Sequence, residues 1–410
     1  MNKFDTKSIK TLLYLIGLVI VFEGIYLLTG ISPASVLGQS VQKEAGIILE
    51  KCLESPFPPS CYDEEIPKLM DKMSLEDVIE VTKVIQGQDR RYLYCHVLGH
   101  YLSEREMKKD PTKWKEVLSK APPTFCNNGF LHGAMIARFN TDVFTDEMVE
   151  EIKPDLMDVC EDRPDRSFVE VERSMCYHAV GHLAMYASNA DPAKAVEICG
   201  EVSVKDDDRD YKQTCTEGVF MQIYQPLEPE DFALIADIAP TTQEEARDLC
   251  SKYDGEAYDA CNREAWPLWR ADIMKPGGVE RFCSYTDDDL AQRKCTGAVM
   301  NMVTATYISD NEDFVGLNEY CLSQSKETYK RRCYANSATR LIQIDPRYTF
   351  DAVRICKMAE ENGLEMECYR DMSYYGAFSF VVGSKEIKQY CSALPEEWRE
   401  SCLSENGEWR

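Results

Sequence analysis

The sequence predicts an all-α fold: a helical-hairpin solenoid of about eight repeats, stapled by intra-hairpin disulfides, behind one N-terminal transmembrane helix. Three observations carry that expectation. Eighteen cysteines recur in short pairs along a chain of 410 residues. Amphipathic stretches with helix-start signals lie between them, while strand-like alternation and hairpin-turn dipeptides are scarce. An apolar run near the N-terminus has the length of a bilayer-spanning helix.

That run covers residues 11–31 and is broken only by Glu23. Lys3, Lys7 and Lys10 precede it and the next lysine is Lys43, so residues 1–10 are expected on the cytoplasmic side. The run resumes after Glu23 with Ile25, Tyr26, Leu27 and Leu28, which favours an uncleaved signal anchor. A cleaved signal peptide is the alternative, with its core at 12–22 and a small-residue region near Ala34, Ser35 and Gly38. Residues 32–44 then read as a linker. Both readings place the bulk of the chain outside the cytoplasm (periplasmic, extracellular or lumenal), with the membrane reached through the N-terminal helix.

The cysteines behave as a ruler. From residue 160 onward the pairs are Cys160/Cys176, Cys199/Cys215, Cys250/Cys261, Cys283/Cys295, Cys321/Cys333, Cys356/Cys368 and Cys391/Cys402. Most pairs follow the previous one by about 35 residues, the period of two-helix repeats. Cys52 and Cys61 form a shorter pair, and Cys95 and Cys126 read as second-helix cysteines of early repeats. Ala193, Val196, Ile198 and Cys199 close an amphipathic helix, with Gly200 as its C′ residue. Asp110-Pro111, Asp191-Pro192 and Asp345-Pro346 each offer an N-cap acid before a proline, which loses nothing at N1. Ser74 and Asp77 read as a capping box. Zinc and iron–sulfur sites usually need C-x2–4-C spacing, which is absent, so disulfides in an oxidising compartment are expected.

The period and the Asp-Pro openings resemble tetratricopeptide-type helical repeats over roughly residues 45–405. That family's Trp, Leu-Gly and Tyr positions are not reproduced. The resemblance implies stacked hairpins with a concave face and no particular chemistry. The chain divides by histidine content into a repeat half at 45–225 and a histidine-free half at 226–410.

All five histidines lie in three short windows, each just after a cysteine. These are Cys95-His96-Val-Leu-Gly99-His100, Cys126-Asn-Asn128-Gly129-Phe-Leu-His132-Gly133 and Cys176-Tyr-His178-Ala-Val-Gly181-His182. Residues i and i+4 share one helix face, so His96/His100 and His178/His182 can each grip one ion. Glu104, one turn beyond His100, is a further candidate ligand or acid/base. Neutral imidazole suits zinc, copper and iron, and bis-histidine haem held without covalent attachment fits the same residues. Glycines beside the histidines, costly in mid-helix, imply close approach of a backbone or a ligand. Met221 sits at the same offset from Cys215 as His132 does from Cys126. It reads first as core and second as a thioether donor for copper.

Two other readings compete for the histidines: a tight helix crossing with each imidazole bonded to a carbonyl, or a groove for an organic ligand. A flat row of helices would hold His96 and His182 roughly 20 Å apart. One shared centre therefore needs a tightly wound superhelix that gathers the outer helices around His132; otherwise there are two sites.

The formal charge of −25 excludes nucleic acid as a partner, since that affinity depends on Lys and Arg neutralising phosphates. No P-loop, G-x-S-x-G or H-E-x-x-H motif occurs. Glu170 and Glu172 are a candidate carboxylate pair, and Trp266-Pro-Leu-Trp269 a candidate aromatic ledge, each with a plain structural alternative. The preferred expectation is a metal- or haem-binding extracytoplasmic protein using His96, His100, His132, His178, His182 and Glu104, with redox or hydrolytic chemistry both compatible. The alternative is a non-catalytic scaffold that binds protein or glycan on a concave face.

Overall fold

The computed structural model describes residues 33–405 apart from 93–94, 123–124, 140–144, 163–166, 204–209, 228, 310, 375 and 382. The described residues are helical, without a strand. No helix among them is long and apolar enough to cross a membrane. The segment 11–31, read as a signal anchor, lies outside the described residues, as does 1–10.

The chain forms two compact units, divided between Gln88 and Asp89. The first contains α1 (Pro33–Cys52), α2 (Pro58–Glu65) and α3 (Leu75–Gln88). Val41, Ala45, Ile48, Leu49 and Cys52 fall on one buried stripe of α1. The helix starts at Pro33 and so includes most of the stretch read as a linker, and its buried stripe begins within that stretch, at Val41. The Ser74 capping signal holds: the Asp77 N–H donates to Ser74 Oγ at 3.1 Å.

The second unit begins with α4 (His96–Met107), α5 (Trp114–Leu118), α6 (Gly129–Phe139), α7 (Asp146–Asp158), α8 (Glu170–Ala187), α9 (Pro192–Val202) and α10 (Tyr211–Tyr224). It continues with α11 (Pro229–Ile235), α12 (Gln243–Cys250), α13 (Gly255–Glu264), α14 (Arg270–Ile273), α15 (Gly278–Cys283) and α16 (Asp289–Thr304). Last come α17 (Phe314–Leu322), α18 (Glu327–Ile344), α19 (Thr349–Glu360), α20 (Glu365–Tyr374), α21 (Lys385–Ala393) and α22 (Glu396–Glu405).

Packing follows a rule: α4, α6, α8, α10, α13, α16, α18, α20 and α22 form a row in which each lies against the next member of the row. The row bends back on itself. The 3-10 turn Phe125–Asn128 touches α18, and α8 touches the turn Gly376–Ser379. Arg293 donates to both carboxylate oxygens of Asp371 at 2.8–2.9 Å, joining α16 to α20. The division read at residue 225 falls inside this unit, where Gln225 Nε2 donates to Glu264 Oε2 at 2.9 Å.

Nine disulfides pair all eighteen cysteines. The seven pairs from Cys160 onward and Cys52–Cys61 each join neighbouring helices, as their spacing predicts. Cys95 and Cys126 correct the sequence reading. They are not members of separate repeats but bond to each other, tying the start of α4 to the turn that leads into α6. Gly200 is also not a terminus. It lies inside α9, which runs on to Val202 because that side chain is buried in register with Ala195 and Ile198. The Asp191 side chain caps α9 through the N–H groups of Ala193 and Lys194. Asp110 and Asp345 cap 3-10 turns instead of α-helices.

Candidate metal centre

The site is built where α4 crosses α6. A Cβ on Gly99 would lie 2.4 Å from the Phe130 nitrogen, and one on Gly133 would lie 2.4 Å from the His100 Cα. Only residues without a side chain let the two backbones meet so closely. The expected close approach is therefore real, and what approaches is the partner helix.

His96 and His100 project from α4 one turn apart, with ring centroids 4.8 Å apart. His132 enters from α6. His96 Nε2 lies 3.1 Å from His100 Nε2, and His132 Nδ1 lies 3.2 Å from each of them. Three imidazole nitrogens thus converge on one point. A tetrahedral zinc with Zn–N near 2.0–2.1 Å separates its nitrogen ligands by about 3.3 Å, so this triangle has the size of one face of its coordination sphere. His96, His100 and His132 could hold a metal ion. An iron with two axial imidazoles instead needs nitrogens opposed about 4 Å apart across a porphyrin plane. These nitrogens converge from one side.

Electrostatics favours ligands over bases. Burial, reinforced by the neighbouring His182, His100, His96 and His178, holds His132 well below the usual histidine range. It is therefore neutral at pH 7, the form that donates to a metal. His132 Nε2 is buried without a hydrogen-bond partner. His96 is half-buried, so the centre opens on its side.

The third window joins the cluster. The His182 ring lies 4.4 Å from His132, and His178 lies 5.1 Å from His182. The outer helix does reach the cluster: α6 and α8 meet around His132, and all five imidazoles form one continuous chain of contacts. Burial pushes His178 down to about 3, with His182 and Arg263 adding to it. His178 Nε2 is 3.0 Å from Met221 Sδ on α10. His182 Nδ1 hydrogen-bonds to Gln222 Oε1. Gln222 Nε2 and Tyr186 OH both donate to Asp231 Oδ1 at 2.6 Å. Burial opposes ionisation of Asp231, but Tyr186, Gln222 and the Leu227 N–H outweigh it and hold the carboxyl below its usual range.

Glu104 is not part of the cluster. It is half-exposed and ion-pairs with Lys108, four residues on, at 2.6 Å. Glu170 accepts from Tyr211 OH at 2.9 Å and Glu172 is buried apart from the metal group, so neither forms a carboxylate pair there. Trp266 and Trp269 pack against the hydrophobic core instead of forming a ledge. Gln222 and Asp231 escaped the sequence reading, because nothing about a Gln and an Asp nine residues apart marks them as a relay to a histidine on another helix.

Comparison with known proteins finds no matching family model, no similar curated protein and no similar solved structure. The functional argument therefore rests on the geometry of this cluster.

Proposed function

We propose that this protein binds a transition-metal ion, zinc by preference, at His96, His100 and His132, outside the cytoplasm. The triangle of nitrogens with edges of 3.1–3.2 Å carries the reading. Three protein ligands leave one tetrahedral position for an outside molecule, the donor count of catalytic and not structural zinc sites. A converging, ligand-ready trio favours a single ion over haem. Nine disulfides support an oxidising compartment. The apolar run at 11–31 would tether the protein to a membrane. The row of second helices supports a disulfide-stapled solenoid as its architecture.

Elemental analysis of the full-length protein, purified from an oxidising compartment, tests the reading. One equivalent of zinc is expected, lost in His132→Gln with helix content retained. A wild-type protein without stoichiometric metal and without zinc uptake at micromolar concentration would overturn it and leave the scaffold reading in its place.

A further inference from the structure

The α4/α6 crossing has a counterpart. A Cβ on Gly181 would lie 1.9 Å from the Cys215 carbonyl oxygen, and one on Gly218 would lie 2.0 Å from that of His178. In the first crossing a Cβ on Gly129 would lie 2.0 Å from the carbonyl oxygen of His96. The two crossings therefore share a register. His178 occupies the place of His96, His182 that of His100, Gly218 that of Gly129, and Met221 that of His132. The contacts match as well: His178 Nε2 to Met221 Sδ is 3.0 Å, where His96 Nε2 to His132 Nδ1 is 3.2 Å.

We infer that the α8/α10 crossing is a second, softer metal site, in which His178, His182 and Met221 hold monovalent copper. Hydrogen bonding fixes where the lone pairs point. Asp231 accepts from the Gln222 amide, so Gln222 must turn its oxygen towards His182. His182 then donates from Nδ1 and carries its lone pair on Nε2, which is buried with no partner. On His178 it is Nε2 that faces the sulfur of Met221. With the proton of His178 on Nδ1, its Nε2 and Met221 Sδ face each other as two acceptors, since a thioether has no proton to offer. Two lone pairs 3.0 Å apart repel unless a cation lies between them. Thioether with imidazole suits Cu(I), whereas zinc prefers thiolate, imidazole and carboxylate. Asp231 and Gln222 act as the outer partners that orient a metal-bound histidine.

The test uses the full-length protein, pre-loaded with zinc and titrated anaerobically with acetonitrile-stabilised Cu(I) against a chromogenic Cu(I) chelator. Copper X-ray absorption is recorded on the product. One tightly held copper with a sulfur in its coordination sphere is expected. Met221→Leu keeps the side-chain volume and should lose that sulfur and weaken Cu(I) binding by tenfold or more, with zinc content unchanged. If Met221→Leu fails to fold, the wild-type absorption spectrum decides by itself. Copper bound without sulfur, no tight Cu(I) binding, or equal binding by wild type and a folded Met221→Leu would each overturn the assignment. The sulfur signal and its loss in Met221→Leu read the α8/α10 crossing alone, because the first crossing offers only imidazole, so the failure of one site is distinguishable from the failure of the other.

Discussion

A methyl group on Gly129 would sit 2.0 Å from the carbonyl oxygen of His96. The obstacle is backbone, which cannot swing aside as a flexible side chain can. Gly129→Ala must therefore push α6 away from α4 and spread the three nitrogens. Overpacking of this kind costs about 1–3 kcal/mol. We expect that loss in chemical denaturation, together with at least tenfold weaker zinc binding. Wild-type zinc affinity in Gly129→Ala would contradict a site built on this crossing.

Glu104 and His100 lie one turn apart on α4 with opposite expected roles. Glu104→Gln should leave zinc stoichiometry at wild type and affinity within twofold, because its carboxylate is engaged by Lys108. His100→Gln should abolish stoichiometric zinc. Competition with a zinc chelator reads both, and metal loss in Glu104→Gln would restore that residue to the ligand set.

The Cys95–Cys126 bond closes a sequence separation of 31, against 12 for Cys321–Cys333. In the chain-entropy model these loops contribute about 4 and about 3 kcal/mol respectively. The two bonds should differ more in function than in stability. Removing Cys95–Cys126 as a double Ala variant should weaken zinc binding, since it anchors both helices that supply ligands. The double Ala variant at Cys321 and Cys333 should lose stability alone. Equal zinc affinity in the two variants would show that α4 and α6 hold their crossing without the staple.

Burial drives His132, His178 and His182 below the ordinary histidine value, with neighbouring imidazoles adding to the effect at His132. Unfolded, each takes up a proton near pH 6.5; folded, it resists. The stability this linkage supplies is complete above about pH 6.5 and is lost as pH falls towards the folded values, about 3 for His178. Each fully shifted group sets a slope of up to about 1.4 kcal/mol per pH unit. The metal-free protein should therefore show a falling Tm between pH 7 and pH 5, with a shallower fall in His178→Gln. A flat wild-type profile across that range would mean that the imidazoles take up protons in the fold as readily as in the unfolded chain.

Local signals were legible in the sequence where cause and effect lie within one hairpin. Cys356 and Cys368 are close enough along the chain that their spacing alone implies a shared turn, and they are bonded. His96 and His100 share a face because helical geometry requires it. What no spacing conveys is how helices cross. The meeting of His132 with His96 and His100 depends on glycines whose partners are backbone atoms of the other helix, and a glycine in a sequence does not say what it admits. Cys95–Cys126 was misread for a related reason: α5 lies inside its loop, so its span resembles the distance between repeats. Gln222 and Asp231 were invisible because their role is to fix the tautomer of another residue.

The disulfide connectivity has a further consequence for biogenesis. Each cysteine is bonded to the next one along the chain, from Cys52–Cys61 through Cys391–Cys402, with no crossing or nesting. A polypeptide whose residues enter an oxidising compartment in order of sequence presents every thiol to its native partner before a competing thiol arrives. Translocation order alone then selects the correct covalent pattern, and the protein has little need of an isomerase to reach it.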